Sequence, residues 1–331
     1  MQAAELLNDL NDAQRTAVSA PPANQLVLAG AGSGKTRVLV HRIAWLIRVE
    51  GFSPNEILAV TFTNKAAREM RERLGSILGD SPMGSTRGMW VGTFHGIAHR
   101  LLKAHWRDAG LPENFQILDS DDQLRLVKRV YQTLQIDETR WPYKQAQWFI
   151  NGQKDEGIRP QYIQEGQDPF TATMKMVYSA YEEACARGGM VDFAELLLRS
   201  HELWLKNKDL LKHYQQRFKF LLVDEFQDTN AVQYAWLQVL AGKESRVTAV
   251  GDDDQSIYGW RGARIENIQQ FEHDFAPVRV CRLEQNYRST ANILNAANAV
   301  IANNFGRLGK SLWTSGDDGE PIDLYAAFNE Q

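Results

Sequence analysis

LVLAGAGSGKT occupies Leu26 to Thr36. An apolar run of strand length enters a glycine-rich turn, then Lys-Thr, then an amphipathic stretch with helical spacing. Such a turn lets backbone N–H groups curl around a phosphate, and the following helix start adds partial positive charge. Gly30, Ala31, Gly32, Ser33 and Gly34 would form the cradle. In this pattern Lys35 reaches the β and γ phosphates and the Thr36 hydroxyl ligates Mg²⁺. The strict pattern has glycine where this chain has Ala29, and alanine is small enough to begin the turn if its φ stays negative. A glycine-rich turn with a chance Lys-Thr is the competing reading. The strand before it, the helix after it and a partner motif further on argue against that.

Working outward, further apolar runs occur at Ile57 to Phe62, Met89 to Val91, Phe220 to Val223, Val247 to Val250 and Val278 to Leu283. Several are unbroken rather than alternating, as in strands of a parallel sheet covered on both faces. Between the second and third runs, Ala66, Met70, Leu74 and Ile77 recur at helical spacing. From about residue 110 to 215 the pattern is helical, as in Asp121 to Leu134, Thr173 to Ala186 and Phe193 to Leu205. The expectation is an α/β phosphate-loop domain with a parallel sheet, interrupted by an all-helical insertion. Ile322 to Tyr325 reads as the start of another strand.

The chain of 331 residues allows about two domains, and 44% hydrophobic residues suffice for a sizeable core. Its formal net charge of -4 argues against a general DNA-coating protein. Any nucleic-acid site must be local, with stacking outweighing charge. Cys185 and Cys281 are far apart and suit a reducing compartment. With no apolar leader and no membrane-length apolar run, the chain reads as cytoplasmic, with no membrane partner.

FLLVDEFQDT (Phe220 to Thr229) is the partner motif. A buried strand delivers Asp224 and Glu225 at its C-terminal end, where ligands bind in open α/β sheets. Phosphoryl transfer to water needs a carboxylate to organise the metal and a base to orient the water. Asp224 suits the first role and Glu225 the second. A lone DE pair is often only a solvated strand end, but here it accompanies a phosphate loop.

Further signatures flank these two. LNDAQRTAV contains Gln14, VTFTNKAAREM runs from Val60 to Met70, and VGTFHGIAHRLL from Val91 to Leu102. VGDDDQSIYGWRGA spans Val250 to Ala263, and RLEQNYRST spans Arg282 to Thr290. With the phosphate loop and the DE motif, seven signatures fall in one order. Together they resemble the superfamily 1 DNA helicases of the UvrD/Rep/PcrA type, and the resemblance covers essentially the whole chain.

That resemblance implies an ATP-driven 3′-to-5′ translocase acting in DNA repair, with two RecA-like domains, 1A and 2A, that close on nucleotide. Residues 1–92 and 216–282 would form domain 1A, 93–215 helical subdomain 1B, and 283–331 the beginning of 2A. The family's later motifs do not occur in this sequence, so the chain is expected to be an N-terminal fragment with little turnover of its own. Gln14 matches the glutamine that reads the adenine edge, and Arg37 and Tyr287 the pair flanking the ring. Gln255 matches the γ-phosphate sensor and Arg288 an arginine finger. Lys35 and Glu225 complete the catalytic set, and Thr36 and Asp224 the Mg²⁺ ligands. Phe62, His95, Phe193, Tyr258, Trp260 and Arg261 match positions lining a single-strand groove, where aromatic faces hold bases of any sequence.

The implied ligands are ATP, Mg²⁺, single-stranded DNA and single/double-strand junctions, with repair proteins and self-association as further partners. Plainer readings exist for some residues. Phe62 and Phe193 also suit a core, and His95 a satisfied structural role. Lys65, Arg68, Arg71 and Arg73 suit a solvated helix face as well as DNA phosphates, and Trp106, Trp141, Trp148, Trp204 and Trp236 read as packing residues. Two other functions stay open: binding of DNA and nucleotide without turnover, and the helicase part of a helicase-nuclease.

Overall fold

The structure is a computed structural model that describes residues 2–79, 86, 88–164, 166 and 168–326. The strands in chain order are β1 (Asn24–Ala29), β2 (Ile57–Thr61), β3 (Trp90–Thr93), β4 (Gln116–Ile117), β5 (Met190–Val191), β6 (Phe220–Val223), β7 (Arg246–Gly251) and β8 (Val278–Leu283). Six of them form one sheet in the order β3-β2-β6-β7-β1-β8, and every pairing is parallel.

Side chains alternate across a strand, so a run that is apolar at every position must be covered on both faces. Leu26, Leu28, Leu58, Val60, Leu221 and Val223 point into one layer, with helices Phe94–Ala104, Phe193–Lys206 and Ala231–Ala241. Val27, Ala29, Ile57, Ala59, Phe220 and Leu222 point into the other, with helices Lys35–Arg48 and Asn64–Leu78. Each fully buried Leu or Val contributes about 1.5–3 kcal/mol by leaving water. Helix Asn64–Leu78 is capped by the Thr63 side chain, which accepts from the Ala66 N–H. Its buried stripe is Ala67, Met70, Leu74 and Leu78, one residue on from the expected Ala66 and Ile77.

Between β3 and β6 the chain is mainly helical, and part of this stretch has its own core. Val127, Ile150, Met174, Val177, Tyr178 and Tyr181 form that cluster, apart from the sheet layers. Helices Phe94–Ala104 and Phe193–Lys206, by contrast, share the core of the sheet. A buried charge network joins the two. Lys154 Nζ lies 2.7 Å from Glu182 and Asp192 and 3.0 Å from Glu195. Burial alone would lower the pKa of this ammonium, but the carboxylates outweigh burial and hold the pKa well above the usual lysine range.

Three expectations need correction. The insertion is not all-helical: β4 and β5 pair in parallel, because the loop after Pro112 meets the Gly189 turn and the Gln116 N–H reaches Gly189 O at 2.9 Å. Trp148 is not a packing residue; it is 68% exposed on the outer face of its helix. Ile322 to Tyr325 forms no strand, because that stretch meets no strand edge among the described residues and its side chains stay exposed. No helix among the described residues is long and apolar enough to cross a membrane.

Candidate nucleotide-binding site and aromatic surface

β1 lies between β7 and β8, so the loops leaving all three emerge side by side at the C-terminal sheet edge. The phosphate loop bends there through Gly32 (φ +68°) and Gly34 (φ +88°), left-handed conformations that favour glycine. Gly34 is the N-cap of helix Lys35–Arg48. The Ser33 hydroxyl donates to Gly30 O at 2.7 Å and closes the turn. Asn286 Nδ2 donates to Ala31 O at 2.6 Å, and the Tyr287 N–H donates to Gly32 O at 3.0 Å, so the segment after β8 clasps the loop.

Gln14 is buried against the same loop. Its Nε2 donates to Ser33 O at 2.8 Å, and its Oε1 accepts from the Asn11 N–H at 3.1 Å. One N–H and one lone pair of the amide are thus committed to fixing its orientation, which leaves one of each for a ligand.

β6 delivers the carboxylates. Glu225 sits at φ +50°, left-handed and costly for a non-glycine residue, in a sharp turn directly after the strand. The turn aims its side chain at the phosphate loop, where Lys35 Nζ lies 2.9 Å from Glu225 Oε2. Thr36 Oγ1 lies 3.4 Å from Asp224 Oδ2. Octahedral Mg²⁺ with bonds of about 2.1 Å sets neighbouring oxygens ~3 Å apart, so this hydroxyl–carboxylate pair fits the ion in spacing and in donor chemistry. Burial, then the neighbouring Glu225, push the Asp224 carboxyl up to about 6. The same two causes push Asp228 up to about 6.

Gln255 lies on the turn after β7. Its Oε1 accepts from Lys35 Nζ at 3.4 Å, and its Nε2 donates to Asp252 Oδ2. Gln227 ties the two loops together by donating to Glu225 Oε2 at 2.9 Å and accepting from the Asp252 N–H at 3.0 Å.

These groups surround a cavity of about 600 Å³ lined by Gly30, Ala31, Gly32, Gly34, Lys35, Thr36, Arg37, Arg73, Glu225, Gln255, Tyr287 and Arg288. The cavity therefore gathers residues from distant signatures. Arg37, Tyr287 and Arg288 are exposed at its mouth, and Asn11 Nδ2 donates to the Tyr287 hydroxyl at 2.7 Å. Ser33 and Asp224 are buried beneath it. From sequence, Arg73 is open between a solvated helix face and a contact to DNA phosphates. It does lie 4.0 Å from Glu69, yet it also borders the cavity, and only the packing of its helix against Lys35–Arg48 reveals that. Lys65 and Arg68 face Glu69 and Glu72 on the exposed surface, and Arg71 donates to Val91 O at 2.7 Å.

The expected DNA residues fall into two pairs and two single positions. His95 and Phe193 meet edge to face with centroids 6.0 Å apart. Phe193 is 53% exposed, too open for a core aromatic. Burial pushes His95 down to about 4, so its ring is neutral near pH 7. Tyr258 and Trp260 lie 6.4 Å apart by centroid, with Trp260 75% exposed. Phe62 follows β2 and is half-buried. The backbone of Arg261 lies in the turn Gly259–Arg261, and its side chain falls outside the described part of the structure.

Comparison with known proteins gives one consistent picture. Residues 10–276 match the model of the UvrD/REP helicase N-terminal domain, and 281–331 match the UvrD-like helicase C-terminal domain. The chain is 64% identical over 330 residues to DNA helicase II of Escherichia coli K12, covering 100% of this chain and 45% of that protein. DNA helicase II of Haemophilus influenzae is 60% identical with the same coverage. The ATP-dependent DNA helicase PcrA of Leuconostoc citreum is 44% identical, covering 100% of this chain and 44% of its own length. The chain thus spans about half the length of the curated relatives it matches.

Proposed function

The chain belongs to the UvrD/REP helicase family, and from that premise we propose that it carries the ATP site and part of the DNA track of a 3′-to-5′ translocase on single-stranded DNA, acting in DNA repair. In this reading residues 1–92 and 216–282 make the ATP-binding domain, 93–215 the helical subdomain and 283–331 the beginning of the second RecA-like domain. The observation that carries the proposal is the position of Gln255. It contacts the phosphate-loop lysine and sits on the same short loop as Trp260.

The chemistry follows from the contacts. The loop N–H groups and Lys35 take the phosphates, and a triphosphate displaces Glu225 as the partner of Lys35. The freed carboxylate then accepts a proton as water attacks the γ-phosphorus, and the bond from that phosphorus to the β–γ bridging oxygen breaks to release ADP. Thr36 and Asp224 would hold Mg²⁺, which would supply charge neutralisation on the phosphate oxygens. Arg288 stabilises charge on the transferring group from the cavity mouth. Gln14, with its amide oriented by Asn11 and Ser33, meets the base edge, and Arg37 and Tyr287 flank the ring. Phe62, His95, Phe193, Tyr258, Trp260 and Arg261 hold bases by stacking, which lets a chain of net charge -4 grip DNA.

Steady-state ATP turnover with and without oligo-dT tests the proposal, with Lys35→Ala as the control. Turnover stimulated by oligo-dT and abolished in Lys35→Ala is the expected result for the complete gene product. Binding of both ligands without any turnover there would replace the motor reading with a binding-only one.

A further inference from the structure

The three aspartates of VGDDDQSIYGWRGA crowd together at the sheet edge. Their carboxylate oxygens lie within 4.8 Å of one another, and Asp252 and Asp253 are buried. Uncompensated, three such charges would repel strongly. The space where a cation would sit is filled by Lys310, itself 8% exposed. Its Nζ lies 2.6 Å from Asp252 Oδ1, 2.5 Å from Asp253 Oδ1 and 2.9 Å from Asp254 Oδ2. Burial by itself would lower the pKa of this ammonium, but the three carboxylates outweigh burial and raise it, so Lys310 stays charged. Arg307 adds a fork to Asp254 at 2.7 and 2.8 Å, and the Leu308 N–H donates to Asp253 Oδ2 at 2.8 Å.

The contacts continue toward the nucleotide cavity. Asp252 meets Lys310 through Oδ1 and accepts from Gln255 Nε2 through Oδ2. With its N–H side held, the Gln255 amide turns Oε1 toward Lys35. An amide rotated by half a turn would present N–H groups to the lysine instead.

We propose that Lys310 is a positioning residue for ATP hydrolysis: by pairing with the aspartate triplet it holds Asp252 against Gln255 and so fixes which end of the Gln255 amide faces the phosphates. The proposal rests on the motor reading above. It adds a residue outside the cavity and outside the sequence signatures that carried the resemblance. Lys310 is buried on the aspartates and does not line the nucleotide cavity, so its effect is expected on the chemical step rather than on binding.

The test is Lys310→Met in the complete gene product, after the wild-type protein has been assayed for oligo-dT-stimulated turnover. Absent turnover in the wild type would overturn the motor reading and, with it, this proposal. With an active wild type, Lys310→Met lowers kcat about tenfold, KM for ATP changes less than about threefold, and affinity for a fluorescent ATP analogue without DNA stays within about twofold. Lys310→Arg, which keeps the charge, recovers at least about half of the turnover. Asp252→Asn carries the test if Lys310→Met does not fold, and it loses kcat with the same sparing of KM. Wild-type kcat in Lys310→Met or Asp252→Asn overturns the proposal. So does a parallel loss of kcat and analogue affinity, which marks a merely structural role.

Discussion

The Lys35 ammonium donates a 2.9 Å hydrogen bond to Glu225 Oε2. The proposed base and the proposed phosphate-binding cation are thus partners within the protein, and in the proposed reading a bound triphosphate separates them. Glu225→Gln removes the negative charge but keeps the shape. Turnover with oligo-dT is expected to fall by about 10²–10⁴-fold, while binding of ATP and DNA persists. Steady-state kinetics beside equilibrium titrations checks this, and near-normal turnover would remove Glu225 from the role of base.

Asp224 is held at a cost. Burial and Glu225 raise its carboxyl to about 6, above the 3.8 of an exposed aspartate. The folded protein then binds this proton more tightly than the unfolded chain. Its contribution to stability therefore falls as pH rises between these two values, and the full penalty, on the order of 1–3 kcal/mol, is present above them. Asp224→Asn should raise Tm by a few degrees at pH 8 in chelator, and the gain should vanish near pH 4. Thermal melts at the two pH values decide it; equal Tm at pH 8 counts against the prediction. The same substitution should abolish Mg²⁺-dependent turnover.

Gly32 has no room for a side chain. A Cβ there would stand 2.6 Å from Asn286 Nδ2 and 2.9 Å from Arg288 Cβ, at a φ of +68°. Gly32→Ala should cost about 1–3 kcal/mol through strain and displacement of the clasp. Nucleotide affinity should fall with it, because Asn286 and Arg288 must move. Gly51→Ala, also at positive φ but with nothing within 4 Å, is the control for backbone strain alone. Equal losses in the two variants would show that the clash with the clasp does not matter.

Much of this arrangement was legible from residues alone. β6 and β8 run over the residues expected of them; β6 is an apolar run covered on both faces, which leaves little freedom of register, whereas β8 is an edge strand with Arg279 and Arg282 exposed. The cavity-lining residues of the phosphate loop were visible because glycine spacing is a local demand. Lys310, Arg307, Asn286 and Arg73 were not, because each acts through a chain crossing that no local pattern encodes. Trp148 misled for a related reason: helical spacing places a residue on a face but does not say what covers that face.

Trp260 offers a large exposed ring beside Tyr258. Trp260→Ala should weaken binding of oligo-dT by about 1–3 kcal/mol, with nucleotide affinity unchanged in the absence of DNA. Fluorescence anisotropy with labelled oligo-dT measures this. Unaltered affinity would take Trp260 off the DNA track.

The central place of β1 has a consequence for biosynthesis. Leu26 is registered against Ala249 on one side and Val280 on the other. A chain leaving the ribosome must wait for β7 before its first strand has a hydrogen-bonded neighbour in the sheet, and for β8 before it has both. β2 and β3, by contrast, lie close in sequence and can pair early. Residues as late as Arg288 must therefore be made before the phosphate-loop cavity can close. Until then the apolar residues of β1 stay open to chaperones and to misassembly.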